Sequence, residues 1–353
     1  MKIALLTYSS KPRGGVVHTL HLAEALARAG EHVTVWSLGR GGDNGFFRRV
    51  DSSVKIEMVP FEARENESVG DRILRSITIL GQAFSHEDYD IVHAQDCISA
   101  NAVGRCIRTI HHLDTFTTPA LAACHERAVT DPYARICVSA AVAEEVREGW
   151  GLEPTVIPNG VESAPFEAAA EAGGSHWQSK LGQYVLAVGG IEPRKGSLDL
   201  LEAFALLNRP ELSLVFAGGE TLFDYRDYRR EFDSRAAELG IEPIVLGTVD
   251  NDELPHLVAQ ATVLPFFSTK EGFGLAAMEA LAAGIPVVAR DLPVLREVFS
   301  NAVTYASGPR AMADALGKAI DGTYDAAAGR SLARSLTWDE AALRHREFYR
   351  SIR

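Results

Sequence analysis

The sequence predicts an α/β protein built from two doubly wound, Rossmann-like domains. Three observations carry this. Strand-like and helix-like runs alternate from Lys2 and start again at Tyr184, the turns closing several of the strands hold glycine pairs, and the chain has 353 residues. That length suits two domains of about 100–200 residues each. Strands separated by helices pair in parallel, which brings the loops that follow them to one edge of the sheet.

The elements follow in order. Lys2–Ser9 is a short β-rich run that ends in polar residues and Gly14-Gly15. Val16, Leu20, Ala23 and Ala27 then recur at helical spacing, so one face of the next segment is apolar. Gly30 closes that helix, and His32–Trp36 resumes as a strand. Asp90–Ala94, Arg108–His111 and Arg135–Val138 are further runs suited to buried strands. Glu162–Ser179, rich in Ala, Gly and Ser and without strong periodicity, reads as an inter-domain linker, giving domains 1–163 and 164–337. After it the strands Tyr184–Val188, Leu212–Ala217, Pro243–Gly247, Thr262–Phe267 and Pro286–Ala289 alternate with helices, among them Gly274–Ala283. Two amphipathic stretches, Arg310–Ile320 and Trp338–Ile352, end the chain. Two such domains facing each other leave a cleft, with ligands expected at the carboxyl ends of the strands.

Composition narrows the function. The chain is 46% hydrophobic and 23% charged with a net charge of −12, an ordinary soluble make-up. Residues 1–165 carry a net −5 and the remainder −7, so neither half is basic and no nucleic-acid partner is expected. Cys97, Cys106, Cys124 and Cys137 form no CxxC pair and read as free thiols of a cytoplasmic protein. No apolar run reaches membrane-spanning length; Phe273–Ala289 comes nearest and has Glu279 near its middle. His18, His21 and His112 show no metal-ligand spacing and read as core or neutral polar histidines. Phe46-Phe47-Arg48-Arg49 reads as a mobile solvated loop in preference to a peripheral membrane contact.

Three loops carry candidate chemistry. Gly14-Gly15 sits at a strand-to-helix turn, where backbone can approach an anion held at a helix N-terminus; a plain tight turn is the competing reading. Gly189-Gly190-Ile191-Glu192-Pro193-Arg194-Lys195-Gly196 places a lysine point charge and an arginine fork beside flexible backbone, the pairing phosphate oxygens require. Ser268–Leu275 leads into a helix carrying Glu279, eight residues after Glu271. A carboxylate among Ala, Leu and Met is costly to bury without hydrogen-bond donors, which ribose hydroxyls would supply. Gly272 and Gly274 leave that helix N-terminus open to a diphosphate.

Glu271 and Glu279 resemble the E-x7-E signature of retaining glycosyltransferases, and their surroundings, Glu-Gly-Phe-Gly-Leu and Glu-Ala-Leu-Ala-Ala-Gly-Ile-Pro-Val-Val, are similar to glycosyltransferase family 4. The likeness runs along nearly the whole chain, through Gly14-Gly15, Thr109-Ile110-His111, Val138-Ser139, Ile157–Val161, Lys195-Gly196 and Phe216–Gly219. It implies a GT-B fold, in which the C-terminal helix crosses back to the first domain, with Trp338 and Tyr349 packing it. The implied activity is transfer of a sugar from a nucleotide-diphosphate donor to a hydroxyl acceptor, with retention, by a front-face route and with no metal or other cofactor.

The same resemblance assigns roles. Lys195 and the helix start at Gly272, Phe273, Gly274 and Leu275 would grip the diphosphate, Glu279 the ribose, and loops near Gly219 and Thr248 the base. Glu271 and His111 would serve the transferred sugar as catalytic residues, and Gly15 would let the first loop reach the phosphate. The second domain would hold the donor and the first the acceptor. UDP is the favoured nucleotide, with GDP or ADP as alternatives. One departure stands out: Gly190 occupies the place where the family usually has arginine, and Arg194 is the candidate substitute. The rival readings are a GT-B sugar-nucleotide epimerase or phosphorylase and a catalytically silent sugar-nucleotide-binding protein.

Overall fold

The computed structural model describes residues 1–116, 118–174, 176–219 and 225–352. Two compact units emerge, Met1–Gly160 with Leu336–Arg353, and Val161–Ser335. The first contains β1 (Lys2–Leu6), α1 (Gly14–Arg28), β2 (His32–Arg40), β3 (Lys55–Phe61), α2 (Val69–Ala83), β4 (Ile91–Ala94), α3 (Cys97–Val103), β5 (Ile107–Ile110), α4 (Pro119–Thr130), β6 (Ala134–Cys137), α5 (Ala140–Trp150) and β7 (Thr155–Val156).

Its seven strands lie in the order β3-β2-β1-β4-β5-β6-β7, and every pairing is parallel. The chain reverses its direction of travel between β1 and β4, the place where such sheets open a binding crevice. Parallel strands covered on both faces need near-continuous apolar runs, and β1, β4 and β5 are buried along almost their whole length. Polar side chains start the helices: the Ser68, Asp96 and Ser139 oxygens accept the backbone amides of Asp71, Ser99 and Val142. Strand β3 carries no strong sequence signal. The segment Lys-Ile-Glu-Met-Val-Pro-Phe is only half-buried, and Pro60 is tolerated because β3 is an edge strand.

The second unit contains α6 (Ser163–Ala172), α7 (His176–Leu181), β8 (Gln183–Val188), α8 (Ser197–Leu207), β9 (Leu212–Ala217), α9 (Arg226–Leu239), β10 (Ile244–Gly247), α10 (Leu254–Ala259), β11 (Leu264–Phe266), α11 (Leu275–Ala283), β12 (Val287–Arg290), α12 (Pro293–Phe299), β13 (Thr304–Ala306), α13 (Pro309–Asp321) and α14 (Ala327–Ser335). Its strands form two runs, β10-β9-β8 and β11-β12-β13. A parallel bridge from Val185 to Val263 joins them, flanked by Thr262 N to Tyr184 O (2.9 Å) and Leu186 N to Val263 O (3.1 Å). The result is one sheet that repeats the layout of the first unit. Leu201, Leu214, Phe216, Phe232, Met312 and Leu316 fill its core.

The expected linker is not one. Residues 162–179 are largely helical, in α6 and the start of α7, and Phe166, Ala169, Trp177 and Leu181 are buried; Ser175 lies outside the described residues. Alanine and serine concealed the helical period, yet Phe166 and Ala169 suffice to seat α6 against α10 and α11. The Phe46–Arg49 loop is also pinned: Arg48 grips Glu24 through two bonds of 2.7 and 2.8 Å, and Phe47 N donates to Ser10 O.

Helix α15 (Trp338–Ser351) belongs to the first unit and packs on α1. Thr337 caps it, and Trp338, Ala341, Ala342, His345 and Tyr349 turn inward. Arg346 donates to Glu31, which also pairs with the N-terminal amine. Tyr349 is hydrogen-bonded to His93 Nδ1 at 2.8 Å, and His93 Nε2 to Thr109 at 2.7 Å. Among the described residues no helix is long and apolar enough to cross a membrane.

Candidate active site

In the second unit the carboxyl ends of β8 and β11 bring together the residues that the sequence had separated by some seventy positions. Gly196 takes a left-handed conformation (φ +66°) hard against the Phe267 carbonyl, where any side chain would collide with backbone. That turn presents Lys195, whose Nζ donates to Glu271 Oε1 at 2.6 Å. Arg194 Nη1 reaches the same oxygen at 3.2 Å and the Lys270 carbonyl at 3.2 Å, while its Nη2 lies 3.5 Å from Glu192. Ser268 Oγ completes the set with a 2.9 Å bond to Glu271. Thr269 N donates to Arg194 O at 2.8 Å and ties the two loops together. Glu271 therefore lies on the loop between β11 and α11, clasped by two cations and a hydroxyl, and its side chain is only 10% exposed.

Sequence alone aimed Arg194 at a phosphate; here it is directed at carboxylates. Ser268 and Glu192 were not foreseen. The only signal for Ser268 was its place three residues ahead of Glu271.

Helix α11 starts at Leu275, with Gly274 (φ +99°) as its N-cap and no side-chain cap for its first amides. A Cβ at Gly274 would lie 2.7 Å from the Phe299 ring and 3.1 Å from that of Phe266, so glycine is required by both conformation and space. Uncapped amides at a helix start suit an anion. Gly272 and Phe273 are buried just before them. The helix is otherwise almost wholly apolar, with Ala277, Met278 and Ala280 to Ala283 buried. Glu279 stands in its second turn, and desolvation pushes its carboxyl up to about 8. Among the described residues nothing hydrogen-bonds to it, although its side chain keeps an opening to solvent. Across the sheet, Gly219 and Thr248 lie side by side: a Cβ on Gly219 would meet Thr248 Oγ1 at 2.5 Å. Gly218 likewise packs on the backbone of Gly189 and Gly190, which draws the ends of β8 and β9 together.

In the first unit Gly15 and His111 meet. A Cβ on Gly15 would lie 3.6 Å from the His111 ring, ordinary contact distance, so Gly15 leaves the ring open to the start of α1 without being forced by space. Burial first, then the Arg108 charge, holds His111 well below the ordinary histidine range, so the ring is neutral at pH 7. Its Nε2 is buried and has no protein partner among the described residues. His18 stands edge-on at 4.7 Å between ring centroids and is fixed by a 2.9 Å bond between its Nδ1 and Asn159 Oδ1.

Comparison with known proteins places this arrangement. The sequence model described as glycosyl transferases group 1 matches residues 177–327, and that described as glycosyltransferase family 4 matches residues 12–164. The phosphatidyl-myo-inositol mannosyltransferase of Mycolicibacterium smegmatis is 28% identical over 353 residues, spanning 92% of this chain and 85% of that protein. The D-inositol 3-phosphate glycosyltransferase of Xylanimonas cellulosilytica is 26% identical over 399 residues, spanning 97% and 94%. Among solved structures, the sucrose-phosphate synthase of Thermosynechococcus elongatus superposes with a TM-score of 0.80 at 21% identity, covering 99% of this chain and 98% of that one. Anabaena HepE in complex with UDP and glucose superposes with a TM-score of 0.73 at 20% identity, covering 99% and 100%. The two sequence models together span most of the chain and the neighbours share its GT-B fold, so the chain belongs to the group 1, family 4 glycosyltransferases.

Proposed function

We propose that the protein transfers a sugar, with retention of configuration and without a metal, from a nucleoside-diphosphate donor held by the second unit to an acceptor hydroxyl. The observation that carries this reading is the cluster of Lys195, Arg194 and Glu271 beside the uncapped start of α11. Two cations and a row of free amides offer what a departing diphosphate needs: charge stabilisation aimed at the oxygens where negative charge grows. Those cations also remove the need for a metal counter-charge.

In this reading Lys195 exchanges part of its bond to Glu271 for the diphosphate, and α11 presents the amides near Gly274 and Leu275. Glu279, protonated at neutral pH in the free protein, meets the ribose hydroxyls. Gly219 and Thr248 border the base, and UDP is the favoured nucleotide, in keeping with the UDP and UDP-glucose complexes of Anabaena HepE. Glu271, and His111 as a neutral imidazole, serve the transferred sugar. The diphosphate leaves from the face by which the acceptor enters, and its own oxygen takes the acceptor proton. Positioning supplies the rest of the acceleration.

The test uses donor hydrolysis, which needs no acceptor. UDP-glucose is incubated with the protein in EDTA, and the anomeric proton of released glucose is followed by NMR before mutarotation. First appearance of the α-anomer with EDTA present supports both finer points. First appearance of the β-anomer overturns retention, and turnover only after Mg²⁺ addition overturns metal independence.

A further inference from the structure

Arg290 is the last residue of β12, and its side chain is only 15% exposed. Leu264, Pro265 and Phe266 of β11 stand opposite Val287, Val288 and Ala289, so Arg290 comes level with Phe267, just past the end of β11. Its Nε donates to the Phe267 carbonyl at 2.8 Å, and its Nη2 donates to Asp199 in the first turn of α8. The same Nη2 packs on Gly196, where a Cβ would lie 3.0 Å from it. One guanidinium thus joins the end of β12, the carbonyl that opens the Ser268–Glu271 loop, and the turn that follows Lys195.

The two bonds leave from one edge of a rigid, planar group, so they fix the separation of the carbonyl and the carboxylate they hold. Asp199 balances the charge, and Arg290 is therefore engaged inside the protein and not offered to a ligand. Other ties between the two loops behave differently. Lys195 and Arg194 both reach Glu271, at 2.6 and 3.2 Å. A diphosphate gripped by Lys195 competes for these bonds and loosens them. The bonds of Arg290 use no group that faces the ligand, so they persist through the exchange, together with that of Thr269 N to Arg194 O. Holding the Lys195 turn in place beforehand spares a ligand the cost of ordering it.

We propose that Arg290 is a positioning residue of the donor site: it sets the Lys195 turn against the Glu271 loop and so holds Lys195 ready for the diphosphate. This rests on the reading of the second unit as the donor side. Arg290 acts here through Lys195, not on the ligand, so the losses caused by removing the two must overlap and not add.

The test is a double-mutant cycle on UDP binding by the full chain, titrated calorimetrically in EDTA. Arg290→Gln should weaken UDP ~10-fold while Lys195 is present, and by no more than ~2-fold in a Lys195→Ala background. Arg290→Lys keeps the charge but cannot make both bonds at once, and should stay weakened ~3-fold or more. Equal losses from Arg290→Gln with and without Lys195 overturn the proposal, because they reveal a general loosening of the domain. Full affinity in Arg290→Gln overturns it outright, and full affinity in Arg290→Lys does so by showing that charge alone matters. Where thermal midpoints show that Arg290→Gln has unfolded, Asp199→Asn, which removes one of the two partners, takes its place in the cycle. UDP binding by wild type is read separately: its absence refutes the donor reading, and amide exchange in the free protein then decides this one. Faster exchange at Gly196 and Thr269 in Arg290→Gln, with the first unit unchanged, supports the proposal. Unchanged exchange at both amides overturns it.

Discussion

Lys195 Nζ and Glu271 Oε1 lie 2.6 Å apart, so the free protein holds its principal diphosphate candidate in an ion pair with its principal sugar-binding candidate. The pair is mostly shielded, with side-chain exposures of 23% and 10%, and Arg194 shares the same oxygen. A ligand phosphate must compete with Glu271 for both cations. Glu271→Gln removes the competing charge, and UDP should then bind about 3–10-fold more tightly, a gain of about 1 kcal/mol. Donor turnover should fall in the same variant. Calorimetric titration and donor hydrolysis together check the split; weaker UDP binding would show that Glu271 does not restrain the cations.

Glu279 makes a prediction whose sign runs against the usual carboxylate. Its folded pKa, about 8, lies above the unfolded value, so ionisation costs stability progressively as pH rises from about 4.5 to 8. Glu279→Gln should leave stability at pH 5 nearly unchanged and raise it at pH 8.5 by up to a few kcal/mol. Denaturant titrations at the two pH values read this directly. If ribose hydroxyls donate to Glu279, UDP binding at pH 7 should also release a proton, seen as a dependence of the calorimetric heat on buffer ionisation enthalpy.

The histidines beneath α15 predict acid sensitivity. Burial lowers His18, His93 and His111 well below the ordinary value and His345 to about 4. A base with a lowered folded pKa contributes its stability above the unfolded value near 6.5 and loses it as pH falls from there toward 4. In a Glu279→Gln background, where that carboxylate no longer titrates, the thermal midpoint should be level between pH 7 and 8 and drop below about pH 6. His345→Leu should flatten that drop by about 2 kcal/mol. An unchanged pH profile in the variant would remove His345 from the account.

Gly160 tests the seat of α15. A Cβ there would lie 2.6 Å from Trp338 Cγ and closer still to the Trp338 backbone, which cannot yield as a flexible side chain can. Gly160→Ala should destabilise the protein by about 3 kcal/mol. Increased amide exchange should appear in both α1 and α15, since the two pack together. Exchange confined to residues near Gly160 would show that α15 seats itself independently of that contact.

Legibility followed burial and local chemistry. Strands such as Ile3–Leu6 and Val185–Leu186 are fully buried and announce themselves by unbroken apolar runs. Edge strand β3 is half-exposed and holds Pro60, so its period is weak. Helix α6 hid behind alanines because composition suggested a flexible stretch, whereas Phe166 and Ala169 fix it by tertiary packing that no local pattern displays. Lys195, Glu271 and Gly274 could be picked out because charges and glycines stand together in loops between strand-like and helix-like runs. The bonds among Arg194, Ser268 and Glu271, and those of Arg290 to Phe267 and Asp199, join residues from separate elements. Such assemblies exist only once the sheet has set its strand order.

Calorimetric titration of UDP in EDTA, into wild type and Lys195→Ala, tests the central claim most directly. Donor recognition by the second unit through Lys195 predicts saturable binding by wild type without metal. It also predicts a loss of about 10–100-fold in the variant, the worth of one charge-assisted hydrogen bond. Equal affinity in the two proteins, or UDP binding that requires Mg²⁺, would contradict it.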